Sequence, residues 1–279
     1  MLTEEQVTSF RENGFLVYGP VLDADELADL QAALGRVLAG DSPKSPEANR
    51  NLTGDPDNVV TQIVNIWEAE PAFQRHLHQP RIVGMVAQLM GADTVRVWHD
   101  QIQIKPPRIG GPTIWHQDHP YWPVIQPADL VSAWVALEDA TIENGAMAMV
   151  RRSHLWGPYN GGTVGSNSED WGPAADPSFL PEGERIDVVP VPVPAGGVVF
   201  HHCLTWHGAR PNRTDTNRPA IAVHYMPGWT RYEPNGASHL VEHHIEVAPG
   251  EPLAGAHFPT VMENGILVTP PSTTEGTPS

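Results

Sequence analysis

Two pairs of residues in this chain could do chemistry together. His116 and Asp118 stand two apart in Trp115-His116-Gln117-Asp118, and His207 and Arg218 stand eleven apart further on. In an extended segment, side chains two apart point the same way. His116 and Asp118 would then offer an imidazole and a carboxylate to one point. A third ligand from a distant strand, His207, would complete a set of two histidines and one carboxylate. That set leaves coordination positions open for a chelating co-substrate and O₂, which suits Fe(II). The His-x-Asp pair alone decides little, because a surface turn accounts for it equally well. The second pair adds weight. Phe200 to Gly208 (FHHCLTWHG) reads as a strand ending in histidine and glycine, and Arg218 opens the strand that follows. A guanidinium grips a carboxylate through two parallel hydrogen bonds, so Arg218 could hold the far end of a dicarboxylate. The competing readings are a core histidine and a surface ion pair.

These residues need a rigid frame, and the elements around them suggest one. Thr3 and Gln6 have capping-box spacing, and Gly14 can end that first helix. Phe15 to Tyr18 reads as a strand. Asp23 or Asp25 can cap a second helix carrying Leu27, Leu30, Leu34, Val37 and Leu38 at helical spacing. Residues 40–58 read as a loop, and Arg81 to Met90 as another helix. From Thr94 on, strand-like pieces follow one another: 94–105, 130–137, 146–150, 186–191, 198–202 and 220–225, with turn signals between them. The fold class expected is mainly β with flanking helices, a double-stranded β-helix (jelly-roll, cupin-like) core. One domain over 1–265 is expected, with a helical region 1–92, a jelly-roll core 93–228 and an extension 229–265. Residues 266–279 read as a disordered tail. The stretch 157–185 is long and rich in Gly, Pro, Ser and Asp. A lid or binding loop and a disordered insertion are equal readings of it.

The sequence also resembles the phytanoyl-CoA dioxygenase family of Fe(II)/2-oxoglutarate-dependent oxygenases. The likeness runs from about Thr3 to Pro227. It is densest in His116 to Pro123 (HQDHPYWP), Asp129 to Trp134 (DLVSAW), Glu143-Asn144-Gly145 with Ser153-His154, and His207-Gly208 through Arg218. The resemblance implies iron held by His116, Asp118 and His207, and Arg218 on the C5 carboxylate of 2-oxoglutarate. It implies Trp134, Gln101 and Gln117 around that co-substrate. His119, Tyr121, Gln103 and His99 are expected toward the substrate. The reaction implied uses O₂ to oxidise, most simply to hydroxylate, an unactivated C–H of a small metabolite or natural-product intermediate, releasing succinate and CO₂. Desaturation, epimerisation, ring closure and acyl-CoA hydroxylation are alternatives within the same chemistry. A non-oxidative cupin-type metal-binding module is the alternative outside it. Related halogenases lack the carboxylate that Asp118 supplies, so halogenation is disfavoured. One departure stands out: Ala209 occupies the position where many members place a serine that helps hold the C5 carboxylate. Losing one hydrogen bond to a charged group costs about 1.5–3 kcal/mol.

Composition narrows the partners. The 16 Lys and Arg against 33 Asp and Glu give a formal net charge of −17, which disfavours nucleic acid and anionic lipid. It also argues against the phosphates of a CoA ester. The single cysteine, Cys203, allows no intrachain disulfide and is expected to pack as a small buried residue. The polar opening segment does not read as a signal peptide, so a cytoplasmic location is expected, as a monomer or homodimer. Of the remaining histidines, His201 and His202 are adjacent on a strand, so at most one can face the site. His239 and His243, four apart, read as solvated surface.

Overall fold

The computed structural model describes residues 1–161, 173 and 180–270. Its elements in chain order are α1 (Glu4–Asn13), β1 (Phe15–Pro20), α2 (Ala24–Ala39), β2 (Ala48–Asn51), β3 (Thr61–Val64), α3 (Ile66–Ala69), α4 (Pro71–Leu77) and α5 (Pro80–Met90). Then come β4 (Val95–Lys105), β5 (Thr113–His116), β6 (Ile125–Gln126), β7 (Val131–Ala136), β8 (Met147–Val150), β9 (Val188–Pro190), β10 (Gly197–His202), β11 (His207–Ala209) and β12 (Arg218–Pro227). Short strands β13 (Arg231–Tyr232), β14 (Thr260–Glu263) and β15 (Ile266–Leu267) are the last among the described residues.

Local signals set the helix ends. Thr3 and Gln6 form the reciprocal capping box of α1, and Asp23 with Glu26 forms that of α2. Gly14, Gly40 and Gly91 close α1, α2 and α5 in the left-handed conformation. Two antiparallel sheets make the jelly roll. The larger runs β1-β10-β7-β12-β4-β14-β15, with the β2–β3 hairpin added along β4, and the smaller runs β5-β11-β8-β9.

Strand alternation divides the larger sheet's side chains between two cores. Ile221, Val223 and Tyr225 of β12, with Ala133 and Val135 of β7 and Val198 and Phe200 of β10, pack on the outer side. There they meet Leu30, Leu34, Phe73, Ile82, Val83 and Val86 of the helices. The alternate residues Ala220, Ala222, Trp134, Ala136 and Val199 face inward with Met147 and Met149 of the smaller sheet. Polar residues of that same inward set form the site.

Two segments differ from the sequence reading. Residues 40–58 are not all loop, because Ala48–Asn51 pairs with Thr61–Val64 and so joins the larger sheet through β4. Ile266 and Leu267, assigned to the tail, pair with Met262 and Glu263 of β14. The rest of the tail from 271, and most of the expected lid, lie outside the described residues. No helix among the described residues is long and apolar enough to cross a membrane.

Candidate active site

His116 ends β5 and His207 begins β11, and the two residues are direct antiparallel partners. That pairing sets their imidazoles side by side, with centroids 4.2 Å apart. Asp118 reaches the same point by another route. The strand stops at His116, and Asp118 takes helical dihedrals (φ −73°, ψ −49°) at the start of a 3₁₀ turn. Its amide and that of His119 both donate to the Cys203 carbonyl, which pins the turn. Extended alternation from His116 is therefore not what aims the carboxylate.

Each ring has one nitrogen tied down. His116 Nδ1 donates to the Ile114 carbonyl (2.8 Å) and His207 Nδ1 to the Thr205 carbonyl (2.9 Å). In a neutral ring, Nε2 is then the lone-pair atom. Both Nε2 atoms face Asp118 Oδ1, at 3.7 Å from His116 and 3.6 Å from His207. A lone pair facing a carboxylate oxygen is unfavourable unless a cation lies between them. The three donors lie within 4.8 Å of one another and fit a metal ion of the Fe(II) class. Burial and neighbouring His116 push His207 well below the usual histidine range, keeping its lone pair free of a proton. For Asp118, burial pushes the pKa up, but His207 and the hydrogen bond from His201 outweigh it, so the group sits well below the carboxylate range.

Oδ2 of Asp118 is held from behind. It accepts from His201 Nε2 (3.0 Å) and Ser132 Oγ (3.1 Å). Ser132 in turn accepts from His224 Nδ1 (2.7 Å), and His224 Nε2 accepts from the Gln101 amide (3.1 Å). The Gln62 amide donates to Gln101 Oε1. Burial lowers His224 to about 4, so it serves as a neutral relay in this chain. Ser132, His224 and Gln62 escaped the sequence reading of the site, and of the adjacent pair His201 and His202 it is His201 that reaches it. The signal available was period-two alternation: Ser132 lies two before Trp134 and His224 six after Arg218, each on an inward face.

Arg218 opens β12 at 1% exposure, with its guanidinium 5.2 Å from the Trp134 ring. Its Nε and Nη1 are buried without a hydrogen-bond partner. Burial lowers its pKa to about 10, so it stays charged near neutrality. A buried cation with free donors is costly unless an anion meets it. Arg218 lines a narrow recess with Trp134, Gln101, Gln103, Thr113 and Ala209, beside the triad. The donor set therefore fits 2-oxoglutarate beside a metal.

The recess opens to a cavity of about 760 Å³ bordered by the β2–β3 hairpin, His99, Tyr121, Trp122, His239 and Leu240. Of the residues expected toward substrate, His99, Gln103 and Tyr121 are on this wall. His119 is not: it is buried with Nε2 bonded to the Ile125 carbonyl, because the 3₁₀ turn carries it away from the triad. Gln117 is not in the recess either. It points opposite to its neighbours, donates to the carbonyls of Gly157 and Leu204 and accepts from the Tyr159 amide. It braces two loops instead. Trp115 and Trp206 pack behind the smaller sheet with Ala148 and Val150 rather than walling the cavity. His239 is no surface residue; it sits 4.9 Å from Trp98 and 5.4 Å from His99, ring to ring.

A jelly roll with this triad and a buried arginine beside it defines a non-haem iron oxygenase that uses 2-oxoglutarate and O₂. Comparison with known proteins agrees. The sequence profile of the phytanoyl-CoA dioxygenase (PhyH) family matches residues 10–220, and the chain belongs to that family. Phytanoyl-CoA dioxygenase domain-containing protein 1 of Mus musculus is 27% identical over 267 residues, covering 81% of this chain and 90% of the mouse protein. A probable alpha-ketoglutarate-dependent hypophosphite dioxygenase of Stutzerimonas stutzeri is 26% identical over 234 residues, covering 79% of this chain and 77% of that one. Among solved structures, the non-haem alpha-ketoglutarate-dependent carbocyclase SnoK from nogalamycin biosynthesis is 31% identical with a TM-score of 0.76, covering 94% of this chain and 97% of its own. The epimerase SnoN, in complex with Fe³⁺, alpha-ketoglutarate and nogalamycin RO, is 28% identical with a TM-score of 0.74, covering 92% and 97%.

Proposed function

We propose that this enzyme oxidises an unactivated C–H of a metabolite or natural-product intermediate of drug-like size, with hydroxylation as the simplest outcome. The observation that carries the reading is the triad and the buried, unpartnered Arg218 in one recess that opens to a cavity of about 760 Å³. Cavities of this volume suit small organic molecules. Arg50 is the only cation among the described residues lining it, with Asp55 on the same wall, which argues against a CoA ester. Ring closure or epimerisation is the second reading, favoured by the likeness to SnoK and SnoN. We infer a single oxygenase domain over 1–265, working in the cytoplasm as a monomer or homodimer.

When bound, iron with 2-oxoglutarate and O₂ supplies the oxidising power, with succinate and CO₂ as co-products. The chain's own residues do the rest. His116, His207 and Asp118 would hold the metal through two imidazoles and a carboxylate, a donor set that would leave room for the co-substrate and O₂. Ser132 and His201 fix the Asp118 carboxylate, and His224 and Gln101 fix Ser132. Arg218 grips the C5 carboxylate, and Trp134, Gln101 and Gln103 wall the co-substrate. Thr113 supplies the hydroxyl that Ala209 lacks: the two are cross-strand partners, both border the recess, and Thr113 Oγ1 is buried without a partner. His99 and Tyr121 face the substrate.

The test is anaerobic addition of Fe(II) and 2-oxoglutarate to the metal-free protein, followed by air. A visible charge-transfer band and then succinate are expected. His207→Ala should lose iron, whereas Arg218→Met should keep iron and lose the band. Absence of both band and succinate in the native protein overturns the reading. The substrate outcome is then read by mass spectrometry against metabolite pools: a gain of one oxygen for hydroxylation, a loss of two hydrogens for ring closure, no mass change for epimerisation.

A further inference from the structure

A second cluster of metal-ligating side chains lies outside the triad. Glu47 precedes β2, Glu68 lies in α3, His243 and His244 sit in a 3₁₀ turn (Glu242–His244), and His257 precedes β14. These segments are far apart in sequence, yet the fold brings the three imidazoles together, His244 stacked on His257 and tilted against His243. Ring centroids are 3.9 Å apart for His243 and His244, and 3.6 Å for His244 and His257. One carboxylate spans the first pair: Glu47 Oε1 is 3.4 Å from His243 Nε2, and Oε2 is 3.0 Å from His244 Nε2. Glu68 meets His257 Nδ1 at 2.7 Å.

His243, its side chain 59% exposed, repeats one feature of the triad. Its Nδ1 donates to the Leu240 carbonyl (3.0 Å), so in the neutral ring Nε2 is a lone pair, and it faces a carboxylate oxygen at 3.4 Å. That is the arrangement of His116 and His207 around Asp118: Nδ1 on a backbone carbonyl, Nε2 turned to a carboxylate at 3.6–3.7 Å. Backbone-fixed imidazoles of this kind are the usual form of a histidine metal ligand. The spacing also suits a small ion. Zinc bonds of 2.0–2.1 Å in tetrahedral geometry place donors about 3.3 Å apart. Among the described residues, Glu47 and Glu68 form ion pairs with these histidines and with no lysine or arginine.

We propose that Glu47, His243 and His244 bind one divalent cation of the zinc class, with the Glu68–His257 pair stacked against His244 completing the site. Nitrogen and carboxylate donors of this mix favour Zn²⁺ over Ca²⁺ or Mg²⁺. The site has a structural consequence. Glu47 leads into the hairpin that carries Arg50 and Leu52, and His243 follows the segment that carries His239 and Leu240; all four border the large cavity. A cation here clamps two walls of the substrate cavity to each other.

The test uses tag-free, full-length protein stripped with a chelator, titrated with Zn²⁺ alone and, for a spectroscopic reading, Co²⁺. His207→Ala removes the triad's capacity, so the second site is counted in that background. One Zn²⁺ per chain at about micromolar affinity is expected, with Co²⁺ giving visible bands of low symmetry. Adding Glu47→Gln or His244→Ala should remove that one equivalent, with the circular dichroism spectrum unchanged. Zn²⁺ should also raise the melting temperature of the His207→Ala protein and lose that effect in the double variants. The proposal is overturned if His207→Ala binds no Zn²⁺ below about 100 µM, or if the double variants bind it as tightly. Both variants act at a site separate from the triad, so the result stands apart from the iron chemistry.

Discussion

Thr113→Val tests how 2-oxoglutarate is held. Valine keeps the β-branched shape and removes only the hydroxyl, so packing is nearly conserved. Thr113 Oγ1 is buried without a partner at the recess that Arg218 and Ala209 share. If it donates to the C5 carboxylate, its removal costs one hydrogen bond to a charged group, about 1.5–3 kcal/mol. That corresponds to a roughly 10- to 150-fold weaker 2-oxoglutarate. The assay is anaerobic titration of the Fe(II) protein, read by the charge-transfer band or by calorimetry. Iron affinity should not change, because Thr113 contributes nothing to the triad. Ala209→Ser in the Thr113→Val background should restore most of the loss, since its new hydroxyl enters the same recess from the partner strand. Native 2-oxoglutarate affinity in Thr113→Val would refute the reasoning, as would a loss that Ala209→Ser cannot repair.

Two further outcomes follow from buried polar groups. Ser132→Ala removes one of the two hydrogen bonds to Asp118 Oδ2 and strands His224 Nδ1, so iron should bind about 10- to 100-fold more weakly; equal retention against a competing chelator would sink this role. His76 is 4% exposed with no partner on Nε2, and burial lowers it to about 4 from 6.5. Below pH 6.5 the unfolded chain takes up a proton that the folded chain refuses until about pH 4. Stability therefore falls as pH drops through that window. Relative to its own stability at pH 7, His76→Phe should keep about 2 kcal/mol more at pH 5 than the native protein in urea melts. Parallel pH dependence in the two proteins would refute it.

Much of this enzyme is legible in residue type and spacing. The candidate ligands His116, Asp118 and His207, and Arg218 beside them, are marked by chemistry that few other residues can perform. The helices are legible because capping boxes and terminal glycines are local signals. The inward and outward faces of β7, β12 and the second half of β4 follow from alternation, which sequence carries directly, whereas a bulge at Trp98 puts Val95 and Val97 on the outer face although they share the parity of Gln101. What sequence could not carry is where regularity breaks. Between β5 and β11 the register slips, so Ile114 and Trp115 oppose Gly208 alone. That bulge puts Thr113 on the face of His116 despite odd spacing, and no local pattern announces it. The strand likewise ends at His116, so a turn anchored by Cys203, not alternation, delivers Asp118, and the same turn removes Gln117 and His119 from the site. The histidines at 243, 244 and 257 gain meaning only when Glu47 and Glu68 arrive from the other end of the chain. Residue chemistry is local and can be read in order along the chain, whereas register, turn placement and the meeting of distant segments are decided by packing of the whole.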